Sequence, residues 1–401
     1  MSNIIRARTG LFMDSFYPAI DGPTVVLDNY ARYLQTRKDG AFILVPEIRD
    51  EPYDDRVHPY DIYRLKAMQI PSKKFKQYKL IVPALNRGLI KAAASREIDI
   101  CHAHSPYTAG SIASTIARQK HIPLVVTFHT KYKADILAGT GSRLLAETGG
   151  RIIVDMLNKA SEVWAVNQPC AGIIREYGYK REVQIMPNGI DVRPPSDPAL
   201  ASREIRSRHN IGGDEKLFLF TGRLSLLKGI DLALKSLAWY KKQDPKFKFI
   251  LIGFGHDEQV IRDLAAELGL GEQVILTGKI TSRELLVKYY GTADLLLFPS
   301  AYDTDSLVPK EAAACGTPSL LLHGAPTASS FEDNVTGFLC KADVESMGGR
   351  IGAIFRHPEQ LARVGQAARA LTQTWDQAVE TAYQRYREVI KTYRHIRENK
   401  Q

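Results

Sequence analysis

Two carboxylates eight residues apart lie in a loop after an apolar strand. The segment FPSAYDTDSLVPKEAAACGTPSLLLH, residues 298 to 323, contains Asp303 and Glu311. Pro309 favours a turn or a first helical position, so KEAAAC can begin a helix with Glu311 in its first turn. Carboxylates accept hydrogen bonds from hydroxyl groups, and ligands of open α/β sheets lie beyond the carboxyl ends of strands. The spacing favours a sugar or ribose ligand, and a capped helix with two solvated acids is the alternative.

Two cations follow another predicted strand. KLFLFTG runs into RLSLLKG, which places Arg223 and Lys228 just past the carboxyl end of that strand. Arginine offers a planar fork and lysine a point charge, and together they suit the two phosphates of a nucleotide diphosphate. Neutralising the charge that develops on such a leaving group stabilises the transition state. A surface pair without a role is the alternative.

Two further motifs at strand ends allow structural explanations. His129 ends the run PLVVTFH, where a structural histidine is the usual finding, and His104 in HAHSP is interpreted as structural. Gly253 and Gly255 frame a G-x-G that lacks the full G-x-G-x-x-G spacing, and a tight turn explains it equally well. We interpret this turn as shaping the site without contacting the ligand.

These motifs resemble, in order along the chain, a known enzyme family. The matching blocks are D-x-F-x-P at 14 to 18, H-x-H-S-P at 102 to 106, F-H-T at 128 to 130, P-N-G-I-D at 187 to 191, G-R-L-S-x-x-K-G at 222 to 229, G-x-G at 253 to 255 and the run from 298 to 339. Together they resemble retaining glycosyltransferases of the GT-B fold, in family 4 (glycosyl transferases group 1). That family carries a Glu-x7-Glu signature, whose first Glu is replaced here by Asp303.

The resemblance implies distinct roles for residues of the second domain. Asp303 would face the transferred sugar, with a share for Asp305, and Glu311 would face the ribose hydroxyls. Arg223 and Lys228 would neutralise the departing diphosphate. The shorter arm of Asp303 leaves the identity of the sugar open. We expect no metal ion and no cofactor, since the nucleotide sugar is a co-substrate.

Other donor-binding positions follow from the same resemblance. The loop that begins at Lys279 and Ile280 resembles the family segment that holds the nucleobase through backbone groups. Backbone amides of Thr327, Ala328 and Ser329 are expected to bind sugar or phosphate, although Ser329 stands where a Glu is common.

In the first domain, the resemblance lifts His129 to an active-site residue that contacts the donor sugar. Gly22 in the loop AIDGPTVV is placed for close backbone approach to donor phosphate or acceptor. Pro23 stands where the family often has a second glycine.

Length and composition limit the class of protein. A chain of 401 residues with 44% hydrophobic residues suggests two domains. The four cysteines, Cys101, Cys170, Cys315 and Cys340, are too widely separated for a C-x2-C metal pattern or a disulfide framework, so we predict buried, reduced thiols. No stretch reaches the roughly 18 apolar residues that span a bilayer. We therefore expect a cytoplasmic protein that can be peripheral at the inner face of the cell membrane.

The formal net charge of +10 is concentrated in one segment. Residues 64 to 96 contain nine Lys or Arg and no Asp or Glu, interleaved with Phe75, Tyr78, Leu80, Ile81 and Leu85. Such a segment can lie on an anionic membrane, and a solvated basic face around a buried helix is the alternative. No recognition motif supports nucleic acid as a partner.

Short apolar runs alternate with helical patterns along the whole chain, which predicts βαβ units and parallel sheets. The predicted fold is α/β, with two doubly wound Rossmann-like domains facing a cleft. We place the acceptor-binding domain at residues 1–192, the nucleotide-sugar-binding domain at 193–375 and a helix at 376–401. The periodicity of WDQAVETAYQRYREVIKTY predicts that helix, and the resemblance implies that it packs back on the first domain.

The sequence thus predicts a retaining, metal-independent glycosyltransferase that moves a hexose from a nucleotide diphosphate sugar, a UDP-sugar, to an acceptor. The basic segment, together with DICHAHSPY and TFHTKY, resembles diacylglycerol and phosphatidylinositol glycosyltransferases, which favours a membrane lipid such as diacylglycerol. A soluble or polyprenyl-linked saccharide in cell-wall or capsule assembly is the alternative acceptor. A non-catalytic nucleotide-sugar-binding protein is the alternative of another class.

Overall fold

The computed structural model describes residues 5–19, 21–37, 39–48, 53–69 and 79–399. The chain divides into unit 1, Met1–Gly189 with Thr374–Gln401, and unit 2, Ile190–Gln373. The predicted boundaries follow residues 192 and 375, whereas the observed ones follow residues 189 and 373. At this boundary the amide of Ile190 donates to the carbonyl of Gln373 at 2.9 Å.

Unit 1 contains a parallel sheet. Its described strands are β1 (Thr9–Phe12), β2 (Ala41–Pro46), β3 (Asp61–Leu65), β4 (Ala67–Gln69), β5 (Lys79–Ile81), β6 (Ile100–Ala103), β7 (Leu124–Phe128), β8 (Glu162–Ala165) and β9 (Val183–Ile185). In the described part of the chain the parallel order is β3-β2-β1-β6-β7-β8-β9, and β4 pairs with β5 in an antiparallel orientation. The order changes direction between β1 and β6, so the loops after these strands meet at one edge.

Helices connect these strands. The described helices are α1 (Gly22–Thr36), α2 (Arg87–Ser95), α3 (Thr108–Lys120), α4 (Tyr132–Thr140), α5 (Arg143–Asn158) and α6 (Gln168–Glu176). The start of α3 is tied to the end of β1, because buried Asp14 accepts from the Ser105 hydroxyl at 2.6 Å and from the Ala109 amide at 2.9 Å. The D-x-F-x-P aspartate therefore has a structural function.

Unit 2 repeats this architecture. Its strands are β10 (Lys216–Thr221), β11 (Phe247–Ile252), β12 (Val274–Gly278), β13 (Leu295–Phe298), β14 (Ser319–Leu322) and β15 (Phe338–Cys340). Its helices are α7 (Pro198–Arg208), α8 (Ile230–Lys241), α9 (Glu258–Glu267), α10 (Arg283–Thr292), α11 (Leu307–Ala314), α12 (Val344–Phe355) and α13 (Pro358–Ala368). The order β12-β11-β10-β13-β14-β15 is parallel throughout and changes direction between β10 and β13. The loops after β10 and β13 therefore lie together.

The last helix, α14 (Trp375–Glu398), belongs to unit 1. A capping box starts it, in which the Thr374 hydroxyl accepts from the Gln377 amide at 3.2 Å and the Gln377 side chain accepts from the Thr374 amide at 2.9 Å. Tyr386 stacks on Trp164 of β8, with ring centroids 5.2 Å apart. Both rings are fully buried, so this helix forms part of the core of unit 1.

The structure also bears on two predictions from composition. Cys101, Cys170, Cys315 and Cys340 are all buried and free of disulfides, in agreement with the predicted thiols. Within the described ranges, no helix combines the length and apolar character that crossing a membrane requires.

Candidate active site

The loops after β10 and β13 bring a cation and a carboxylate into direct contact. Lys228 ends a short 3-10 turn after β10, and its Nζ donates to Oδ1 of Asp303. The Ser300 hydroxyl donates to Asp303 Oδ2 at 2.6 Å. Arg223, in the same loop as Lys228, is exposed. Two residues that sequence analysis selected from separate motifs thus form one ion pair.

Glycines allow the loops of this site to approach closely. Gly229 has φ +72°, and a Cβ there would lie 2.1 Å from the carbonyl oxygen of Pro299. Gly253 has φ +144°, and its Cβ would lie 1.8 Å from the carbonyl oxygen of Gly222. A side chain at either position would collide with the neighbouring loop, so glycine is required for the loops to lie this close together. This gives a physical reason for interpreting the G-x-G turn as shaping the site.

Helix α11 starts earlier than the sequence predicted. It begins at Leu307, where the Ser306 hydroxyl accepts from the Val308 amide at 3.4 Å. Pro309 is the third residue of the helix and Glu311 the fifth, so the prediction of Glu311 in the first turn was wrong. Proline is tolerated in a first turn because amides there have no intrahelical acceptor.

Glu311 is held by two residues of α10. Its Oε2 accepts from the Tyr290 hydroxyl at 2.8 Å, and its Oε1 lies 2.9 Å from Nη2 of Arg283. The Thr221 hydroxyl lies 3.0 Å from the Tyr290 hydroxyl. Burial and the nearby charge of Glu311 raise the pKa of Tyr290 far above its usual value, so this hydroxyl remains a donor. Tyr290 and Arg283 were not predicted from the sequence, because no motif marks them.

Asp305 has a different partner from Asp303. Lys310 Nζ donates to both of its oxygens, at 2.7 and 2.9 Å. The Asp305 side chain is only 4% exposed and the Lys310 side chain only 9%. The charge of Asp305 is thus compensated by a buried lysine. The suggestion that it shares the role of Asp303 stays a prediction.

The loop after β14 touches the same site. Thr327 Oγ1 donates to the carbonyl of Asp303 and accepts from the amide of Ser306, both at 3.2 Å. The amide of Ala328 donates to the Ala325 carbonyl at 3.0 Å and is committed within this turn. Thr327 therefore fixes the Asp303 loop, and a ligand role for this turn stays a prediction.

The remaining predicted residues of unit 2 lie after β12 and after β14. Lys279 is exposed, and its Nζ lies 5.6 Å from the centroid of the Phe254 ring. Ile280 packs against the core of the unit with part of its surface, and Ser329 is exposed.

Unit 1 gathers three buried histidines at the carboxyl ends of β6 and β7. His104 Nδ1 lies 3.0 Å from His129 Nε2, and His102 Nε2 lies 2.7 Å from the Thr127 hydroxyl. His102 also contacts the Tyr386 hydroxyl of α14. Burial lowers the pKa of His129 to about 4 and the pKa values of His102 and His104 well below 6.5. All three imidazoles are therefore neutral near pH 7.

Gly22 begins helix α1, whereas the sequence analysis placed it in a loop. Asp21 caps this helix by accepting from the Thr24 amide at 2.9 Å, and Pro23 is compatible with the first turn. A Cβ at Gly22 would meet no atom within 4 Å, so the surrounding protein does not require glycine there.

Part of the basic segment, residues 70–78, lies outside the described residues. Phe75 and Tyr78 belong to that part. At its ends, Arg64 pairs with Asp55 at 2.7 Å and Arg96 pairs with Asp61. Leu80 is partly exposed and Ile81 is buried.

Helix α2 presents apolar and basic residues to solvent. Leu85, just before it, and Leu89 within it are exposed, and so are Arg87 and Lys91. This part of the basic segment thus combines apolar and cationic surface.

Two parallel α/β units, each with polar residues where its sheet order changes direction, are the architecture of GT-B glycosyltransferases. Residues 20–193 match the family described as Glycosyltransferase Family 4, and residues 201–371 match the one described as Glycosyl transferases group 1. The chain therefore belongs to the GT-B glycosyltransferases of family 4.

Similar proteins include alpha-monoglucosyldiacylglycerol synthase of Streptococcus pneumoniae, 25% identical over 88% of this chain and 79% of that protein. D-inositol 3-phosphate glycosyltransferase of Acidothermus cellulolyticus is 27% identical over 77% of this chain and 71% of that protein.

Solved structures share the fold. Anabaena HepE in complex with UDP and glucose has a TM-score of 0.75 at 20% identity, covering 95% of this chain and 99% of that one. Sucrose-phosphate synthase from Thermosynechococcus elongatus has a TM-score of 0.80 at 21% identity, covering 96% and 100%.

Proposed function

We propose that this enzyme transfers a hexose from a UDP-sugar to a membrane lipid such as diacylglycerol, with retention of configuration and without a metal ion. The observation that carries the proposal is the joining of Lys228, Asp303 and Ser300 at the switch point of unit 2. A cation held beside a carboxylate there can bind a diphosphate, while the carboxylate accepts from sugar hydroxyls.

In the proposed reaction, the bond from the anomeric carbon to the diphosphate breaks as the acceptor oxygen attacks on the same face. The departing diphosphate takes the acceptor's proton, and Lys228 and Arg223 stabilise its charge. Glu311 accepts from the ribose hydroxyls of the donor. His129, being neutral, supplies a hydrogen bond to the donor sugar.

The names of the relatives support the choice of substrates. The streptococcal relative is named for an α-linked glucosyl diacylglycerol. Because UDP-glucose is itself an α-glycoside, an α product is the result expected of retention. HepE is described with UDP and glucose, which supports the uridine nucleotide. Exposed Leu85 and Leu89 beside Arg87 and Lys91 suit a peripheral position on an anionic membrane at its cytoplasmic face.

A smaller polar acceptor is the second candidate. Relatives named for D-inositol 3-phosphate favour it, because that acceptor is a soluble polyol. A soluble or polyprenyl-linked saccharide belongs to the same alternative.

Donor binding and slow donor hydrolysis, measured across UDP-, GDP- and ADP-sugars with EDTA present, test the donor and the reaction. One UDP-sugar bound and hydrolysed supports the proposal. Binding without hydrolysis favours the non-catalytic alternative, and activity only after addition of a divalent cation contradicts metal independence.

Vesicle flotation tests the acceptor class. We expect the protein to float with anionic vesicles and to be released at high salt, since screening weakens attraction to the surface. Transfer to diacylglycerol in such vesicles supports a lipid acceptor, whereas transfer to a soluble polyol phosphate without any flotation favours the second candidate.

A further inference from the structure

We propose that Arg283 is a latch on the donor site, because its guanidinium occupies the part of Glu311 that donor ribose hydroxyls must reach. Arg283 thereby lowers the affinity for the donor and is displaced when the donor binds. This inference rests on the proposed function only in requiring that a nucleotide binds at Glu311.

The contacts of Glu311 divide its two oxygens between an inner and an outer partner. Oε2 faces Tyr290, which is fully buried, and Oε1 faces Arg283, whose side chain is 50% exposed. The carboxylate is itself only 9% exposed. A ligand from solvent therefore reaches Glu311 from the side that Arg283 covers.

Arg283 has a second contact besides Glu311. Its Nη2 and Nε donate to the carbonyl of Asp191 at 3.2 and 3.4 Å. Arg283 also lines a pocket of about 440 Å³, together with the carboxylate-bearing residues Asp197 and Glu284. A displaced guanidinium has space there, near new anionic partners.

The ion pair between Arg283 and Glu311 has a physical reason when no donor is bound. A nearly buried carboxylate without a charge partner is costly, and Arg283 offsets that cost. Ribose hydroxyls supply hydrogen bonds to the same carboxylate, so ligand and arginine compete for one acceptor group. Removal of the arginine is therefore expected to tighten nucleotide binding.

Calorimetric titration of Arg283→Gln with UDP tests the latch. We expect Kd to fall about two- to fivefold, the range for a half-exposed ion pair. Arg262→Gln is the matched control, because Arg262 is 47% exposed and pairs with Glu258 at 2.8 Å on α9. The control should bind UDP as the wild type does. Arg283→Lys keeps the charge, so its Kd for UDP should lie between those of the wild type and Arg283→Gln. Thermal unfolding verifies that each variant is folded.

A ligand without ribose hydroxyls separates competition from a general effect on the site. With 2′,3′-dideoxy-UDP, which offers Glu311 no hydroxyl, wild type and Arg283→Gln should bind equally. An equal gain for both ligands, or unchanged or weaker UDP binding by Arg283→Gln, overturns the latch and leaves the donor site standing. If no nucleotide binds either protein, the donor assignment itself is wrong and the latch falls with it.

Discussion

At the carboxyl edge of the unit 2 sheet, charges are matched in pairs, whereas at the same edge of unit 1 the buried imidazoles are neutral. Lys228 meets Asp303 and Arg283 meets Glu311, but His104 and His129 lie 3.0 Å apart with pKa values far below neutrality. The difference follows from what compensates burial. A partner of opposite charge keeps a side chain ionised, and without one burial favours the neutral form.

The largest expected effect concerns the charged region. Lys228→Ala should lower turnover about 10²- to 10³-fold, as does loss of one group that stabilises developing negative charge. Lys235→Ala, which breaks an exposed pair with Asp231 at 3.4 Å, is the control and should retain activity. Initial rates at saturating donor measure both variants. Near-normal turnover of Lys228→Ala would show that Lys228 does not stabilise the leaving group.

The neutral histidines of unit 1 should make the free energy of unfolding depend on pH. His129 has a folded pKa of about 4 against about 6.5 when unfolded, so its contribution is fully present above pH 6.5 and lost as pH falls toward 4. The free energy of unfolding should drop by up to about 3 kcal/mol from this group over that interval, at 1.36 kcal/mol per pKa unit.

Urea unfolding at pH 7.5 and pH 4 measures this loss. His129→Asn cannot take up the proton, so its stability should fall less over the same interval. Equal losses in the variant and the wild type would mean that His129 is not buried in neutral form.

The smallest effect is expected at Gly22. Gly22→Ala should leave the free energy of unfolding within about 0.5 kcal/mol of wild type, because the added methyl meets nothing within 4 Å. If the backbone there approaches phosphate or acceptor, a KM should nevertheless rise severalfold. Steady-state kinetics with donor and acceptor varied separately measures it, and unchanged constants would exclude Gly22 from the site.

The sequence predicted most of what short-range patterns encode. Strand β10 lies within the predicted run KLFLFTG, and five of its six residues are buried. Strands β3 and β9 were not predicted, since both are edge strands with partly exposed residues and no continuous apolar run. The alternation of elements was therefore easier to recognise than the two edge strands of the unit 1 sheet.

The site divides in the same way. Motifs marked Lys228 and Asp303 individually, but their contact joins residues 75 positions apart, which only the parallel sheet brings together. Arg283 and Tyr290 carried no motif at all. Their relation to Glu311 comes from the packing of α10 beside α11, which no local pattern of residue types encodes.

The placement of α14 has a consequence for biosynthesis. Unit 1 needs Tyr386 against His102 and Trp164, yet the ribosome makes residues 190–373 before it reaches this helix. At 5–20 residues per second, that interval lasts roughly ten to forty seconds. During it, the nascent first unit lacks the helix that later covers the apolar surface at Trp164.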